Sequence, residues 1–140
     1  MKLNISTDFA IRVITWLATH QTAVTMPLLA EKLHIPYNHL AKIVQTLSHA
    51  GILGTRQGKH GGIYLAKSSD DIYLGSVVRL MEGAPQLSEC LGNHDFCELY
   101  EECQFRHVFF SIQSKINQMF DEIKVSDFAK QKSMEGVKDA

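Results

Sequence analysis

Cys90, Cys97 and Cys103 fall within fourteen residues of a 140-residue chain that has no other cysteine. Thiolate sulfur is both a soft metal ligand and a nucleophile, so this grouping points to metal ligation or redox chemistry. The spacing Cys-x6-Cys-x5-Cys admits four readings. Three unrelated core thiols fit badly in a segment that also carries Glu89, Asp95, Glu98, Glu101 and Glu102. Structural zinc sites usually set the first two cysteines two to four residues apart. Neither gap does so here, although His94 or His107 could complete a Cys3His set. A redox switch needs two accessible, activated thiols, and the surrounding carboxylates work against that. An iron–sulfur cluster takes mostly thiolate ligands, usually four. Three from one flexible loop can wrap one face of a cluster, and a non-cysteine side chain, on this chain or another, must supply the fourth. An iron with such a weak fourth ligand stays open to attack, which suits a sensor better than an electron carrier.

No enzyme constellation competes. The seven histidines are scattered, and none pairs in sequence with a recognisable nucleophile or metal motif. No Gly-rich phosphate loop follows a strand. The chain is read as a non-enzyme, with an enzyme or electron carrier bearing an incidental helix-turn-helix as the rival class.

The elements that would position the cysteines follow from periodicity. A first helix, capped by Ser6 or Thr7, runs to about His20 with Phe9, Val13, Trp16 and Leu17 on one face. Asp8 lies in its first turn, where the helix dipole favours a carboxylate, and Arg12 stands one turn on in ion-pairing register. Thr25 caps a second helix with Leu28, Leu29 and Leu33 inward, and Pro36 breaks the chain before a third. That third helix runs from about Tyr37 to Ala50 and buries Leu40, Ile43, Val44 and Leu47. Gly51 ends it, and Ile52 packs back on Leu47. Two strand-like runs, 52–55 and 63–66, flank the basic, Gly-rich turn 56–62. Two short helices with a tight turn, followed by a basic hairpin, make a winged helix-turn-helix.

A polar linker at 68–71 leads to a short helix at 72–82, ended by Gly83-Ala84-Pro85. From about Gln104 to Lys124 the residues Phe105, Phe109, Ile112, Ile116, Met119 and Ile123 step by 4, 3, 4, 3, 4. This is the rhythm of helix pairing, on a helix roughly 30 Å long. A second copy is the economical cover for such a stripe, so a homodimer is expected. The fold expected is mainly α with a small β wing. It comprises a DNA-binding domain over 1–82, a cysteine loop over 83–103, a dimerisation helix over 104–126 and a flexible tail over 127–140.

Charge supports this division. Lys and Arg total 14 against 15 Asp and Glu, a net of −1. Residues 1–67 hold seven basic and two acidic side chains, and residues 68–140 hold seven and thirteen. The near-neutral total therefore does not exclude a polyanionic partner. The apolar run 9–18 contains Arg12 and is too short to span a bilayer, and it lacks the flanks of a signal peptide. The cytoplasm is the expected location, with no membrane partner. For DNA contacts the expectation is Tyr37, Asn38, His39 and Lys42 at the start of the third helix, with Arg56, Lys59 and His60 in the wing.

Met1-Lys2-Leu3 with Thr7-Asp8, the winged helix, three loop cysteines and a long C-terminal helix together resemble one family. This is the winged-helix iron–sulfur transcriptional repressors, which includes nitric-oxide-sensitive (NsrR), iron–sulfur-assembly (IscR) and iron-responsive (RirA) types. The resemblance covers about residues 1–126. It implies a homodimer bound to a palindromic double-stranded operator. It implies a cluster, 4Fe–4S with 2Fe–2S as the alternative, on Cys90, Cys97 and Cys103. In the NsrR type an Asp in the first turn of the first helix completes the ligand set of the other subunit, and Asp8 matches it. The IscR type uses a His three residues after the third Cys. Arg106 stands there, and His107, one later, is the substitute ligand. Nitric oxide attacking the cluster, release from DNA and derepression are the implied function. The six-residue gap between Cys90 and Cys97 is nearer the RirA type, which leaves iron or cluster status as the alternative signal. A cluster-free thiol-redox regulator or a zinc-bearing one is a further alternative.

Overall fold

The computed structural model describes residues 1–129. Helices α1 (Ile5–His20), α2 (Met26–Leu33) and α3 (Tyr37–His49) precede a hairpin of β1 (Leu53–Arg56) and β2 (Gly62–Leu65). Helix α4 (Leu74–Glu82), the cysteine loop, α5 (Gln104–Glu122) and the one-turn α6 (Val125–Phe128) follow. This is the mainly helical winged helix-turn-helix with a small β wing that periodicity led us to expect.

One core unites the N-terminal elements. Val13, Ile14 and Leu17 of α1 meet Leu29 of α2, Leu40, Ile43 and Leu47 of α3, and Ile63 of β2, all nearly inaccessible to solvent. Each such aliphatic side chain contributes about 1.5–3 kcal/mol on burial. In α2 Leu29 carries the burial, whereas Leu28 is 43% exposed. In α4 Met81 packs on the core and Leu80 faces out.

The start of α1 differs from expectation. Asn4 is the N-cap, its side chain accepting from Thr7 N–H at 2.9 Å. Thr7 lies inside the first turn and is fully buried. Its hydroxyl hydrogen-bonds Asn4 Oδ1 at 3.1 Å and Glu82 Oε1 at 2.5 Å. Thr7 is thus engaged with α4 from inside the first turn, and the capping role falls to Asn4.

At the helix-turn-helix corner His34 takes a left-handed φ of 53° and closes α2, with its N–H bonded to Glu31 O at 3.3 Å. In the wing Leu53 pairs with Leu65 and Arg56 with Gly62. Gly62 has φ +138°, and a Cβ there would collide with the Val24 carbonyl. Glycine thus lets Val24 and Ile63 exchange backbone hydrogen bonds of 3.0 and 2.7 Å, which roots the wing on the body.

Helix α5 lies against α4 at Gly75, where any Cβ would meet the Asp121 carboxylate, and Arg79 pairs with Asp121 at 2.6 Å. Its other face is open, with Phe105, Val108, Ile112 and Met119 all exposed. Beyond α5, α6 returns to α1. Val125 N–H bonds Ile72 O and Leu74 N–H bonds Ile123 O, both at 2.8 Å. Val125 and Ala129 are buried, so residues 127–129 belong to the packed body rather than to a tail. The expected flexible stretch from 130 onwards lies outside the described residues.

Candidate cluster loop and nucleic-acid interface

The cysteine loop leaves α4 at Gly83, which has φ +78°. It is built from short-range bonds: single 3-10 turns at Glu89–Leu91 and His94–Phe96, then irregular chain to α5. None of its residues is fully buried. Cys90 and Cys103 are half-buried and Cys97 is exposed. The Cys90 thiol donates to Ser88 Oγ at 3.2 Å. Cys103 is the N-cap of α5 and its sulfur accepts from the Arg106 N–H at 3.4 Å. A helix N-terminus favours negative charge at that sulfur.

Three accessible thiols on a loop without a core fit the thiolate donor set of an iron–sulfur cluster in kind. Among the described residues no three His, Cys, Asp or Glu side chains are gathered as a metal-binding group. The loop as folded keeps the three thiols from converging, and holding a cluster requires it to close further. His107 is exposed on α5. His94 sits between Glu101 at 2.6 Å and Asp95 at 3.3 Å. Hydrogen bonds to Glu101, and then to Asp95, raise its pKa above the ordinary imidazole value.

Asp8 lies in the first turn of α1 and pairs with Arg12 at 2.8 Å. It lines an open surface cleft with Lys2, Leu3, Asn4 and Ile5. That first turn also touches α4 and α3. Glu82, the last residue before the loop, accepts from Asn4 N–H at 2.6 Å as well as from Thr7. Ser6 Oγ is 2.8 Å from His39 Nε2 on α3, and the Phe9 ring meets that imidazole edge-on at 5.0 Å.

At the start of α3, Tyr37, Asn38 and Lys42 are exposed, whereas His39 is turned toward α1. A cleft of about 560 Å³ runs beside them, lined by Asn38, His39, Lys42 and Thr46 on one side and Leu80 and Met81 on the other. In the wing Arg56 lies over the Tyr64 ring at 4.9 Å, and Lys59 and His60 are exposed at the tip. The structure thus displays two basic, solvent-facing edges on one domain.

The comparisons with known proteins agree with this architecture. A family model described as "Rrf2: Iron-dependent Transcriptional regulator" matches residues 3–131. The chain belongs to the Rrf2 family. It is 33% identical over 130 residues to the HTH-type transcriptional regulator NsrR of Bacillus licheniformis, covering 91% of each chain. It is 31% identical to NsrR of Bacillus subtilis, covering 94% of this chain and 92% of that one. Among solved structures it resembles CymR, the global cysteine regulator of B. subtilis, with a TM-score of 0.75 at 20% identity over 92% of this chain and 96% of that one. It also resembles T. potens IscR, with a TM-score of 0.73 at 21% identity over 91% and 85%. As an Rrf2 protein the chain is a transcriptional regulator similar to NsrR, a class of proteins named for regulation and not for catalysis.

Four residues of this Rrf2 chain carry structural weight that spacing did not single out. Glu82 and Ser6 connect the first turn of α1 to α4 and α3. Buried Gln113 accepts from the Leu87 N–H at 2.7 Å and so ties the head of the cysteine loop to α5. Arg106 bridges the loop itself. Their partners lie far away in sequence, and no local pattern marks them. The one signal in the sequence is Arg106 itself, three residues after the third cysteine, where the resemblance led us to look for a histidine.

Proposed function

We propose that this regulator is a cytoplasmic, homodimeric repressor that holds an iron–sulfur cluster, of the 4Fe–4S type, and releases its operator when nitric oxide reaches that cluster. The observation that carries the reading is the first turn of α1, which holds Asp8 and is hydrogen-bonded both to the base of the cysteine loop and to the recognition helix. Cys90, Cys97 and Cys103 would hold the cluster, with Asp8 of the partner subunit as the fourth ligand and His107 as the substitute. When bound, the cluster supplies an iron that reacts with nitric oxide.

The chain's own residues do the rest. Asp8 exchanges its contact with Arg12 for one across the dimer, which fixes α1 relative to the partner's loop. Ser6 and His39 pass the position of α1 to α3, and Glu82 passes it to α4. The apolar face of α5, with Phe105, Phe109, Ile112, Ile116, Met119 and Ile123, packs on its counterpart in the second copy. The two α3 helices are then held about one DNA turn apart. Tyr37, Asn38 and Lys42 reach base edges, Asn38 reading adenine in two-point fashion. Arg56, Lys59 and His60 follow the flanking backbone. His39, engaged with Ser6, acts as a hinge contact before it acts as a DNA contact.

The test is anaerobic purification followed by iron and acid-labile sulfide counts, then operator binding with and without nitric oxide. Colourless protein without sulfide would remove the cluster. A second reading, response to iron supply or cluster status, is favoured by the six-residue gap between Cys90 and Cys97. Cluster-bearing protein whose affinity ignores nitric oxide and follows iron supply would select it.

A further inference from the structure

We infer that Arg106 is the positioning residue of the cysteine loop, its guanidinium and backbone amide tying the segments around Cys90, Tyr100 and Cys103 to the start of α5 and so limiting how far the loop has to close for its thiols to meet on a metal cluster. The inference rests on the cluster reading above. Arg106 lies in the first turn of α5 and is half-buried. Its Nε donates to the Cys90 carbonyl at 3.3 Å, across sixteen positions of chain. Its Nη2 donates to the Tyr100 hydroxyl at 2.6 Å, and the guanidinium carbon stands 3.8 Å from the centre of that ring. Its backbone N–H donates to Cys103 Sγ. Tyr100 in turn packs on His94, with ring centroids 4.4 Å apart, which carries the contact to the turn before Cys97.

Two further facts separate this from an ordinary surface arginine. Arg106 is the only Lys or Arg between Arg79 and Lys115, in a stretch with five loop carboxylates. Yet among the described residues it forms no ion pair and points its donors at neutral oxygens. Its charge faces the Tyr100 ring instead of a carboxylate. A planar, five-donor fork can hold a carbonyl, a hydroxyl and a ring face together, and a lysine ammonium cannot. Groups that orient metal ligands without touching the metal typically change metal retention about 10–100-fold when replaced.

The experiment compares full-length wild type, Arg106→Lys, Arg106→Gln and Tyr100→Phe. Amide hydrogen exchange across residues 88–103 is read in metal-free protein. Visible absorption and circular dichroism, and iron release to a chelator, are read after anaerobic loading. Both Arg106 variants are expected to exchange faster across the loop while the exchange of α1 to α4 stays at wild type. They are expected to release iron about 10–100-fold faster with an altered dichroism spectrum. Tyr100→Phe, which loses one acceptor and keeps the ring, should fall between them and wild type. Full rescue by Arg106→Lys, or unchanged loop exchange and iron release in all three variants, overturns the clamp. Wild type that takes up neither iron nor sulfide overturns the cluster reading, and the positioning role with it, whatever the loop exchange shows.

Discussion

Asp8 and Arg12 pair across one helical turn with side chains 46% and 52% exposed, a setting in which an ion pair contributes at most about 1 kcal/mol. Asp8→Ala should therefore melt close to wild type. As a ligand, its loss should show instead as faster iron loss and weaker operator binding. A large drop in Tm with unchanged iron retention would assign Asp8 to stability alone. Ser6 and His39 make one hydrogen bond between α1 and α3. In a double-mutant cycle on operator affinity, Ser6→Ala and His39→Ala should couple by about 0.5–3 kcal/mol, whereas strict additivity would mean that α1 does not act through this bond. Lys59 stands free at the wing tip. Lys59→Ala should weaken binding to all sequences alike and flatten the salt dependence by about one unit, and an unchanged slope would remove it from the interface.

At the scale of elements, the sequence displayed its long-period features and concealed its short or non-local ones. The stripe Leu40, Ile43, Val44 and Leu47 announced α3, and the same side chains are buried in it. The Gly-rich turn announced the wing. Helix α6 has four residues, barely one turn, so no period could reveal it. It forms because Val125 has a core site and a backbone partner in Ile72. The cap of α1 lies two or three positions before the Ser6 or Thr7 expected, for the same reason, since Glu82, which holds Thr7, lies seventy-five residues away. The cysteines showed which chemistry to expect but not their arrangement, because the loop has no periodic pattern or core to fix one. The exposed face of α5 leads to a separate expectation. Ile112→Glu should turn dimer into folded monomer by sedimentation, with the helical signal kept, because Ile112 is 41% exposed in a single chain. A variant that stays dimeric would place the interface elsewhere.

For the molecule as a whole, the charge balance separates two ends of one device. The basic surplus of residues 1–67 falls on the helices and wing, whereas Glu89, Asp95, Glu98, Glu101 and Glu102 share the loop with the thiols. Asp8 is one of only two acidic residues in the basic part, and it is the one proposed to cross to the partner subunit. Helices α1 and α6 bind the two ends together, since α6 closes the C-terminal side of α5 onto α1. A change at the loop would therefore reach α3 by moving packed helices, and the proposed regulation requires those helices to have two arrangements. The most direct measurement is the operator affinity of anaerobically purified dimer, followed against iron and acid-labile sulfide content before and after nitric oxide, with Cys97→Ser beside it. The account predicts affinity that rises with sulfide content and falls on nitric oxide, and a Cys97→Ser protein that behaves as metal-free throughout. Affinity that is the same at every iron and sulfide content would contradict it.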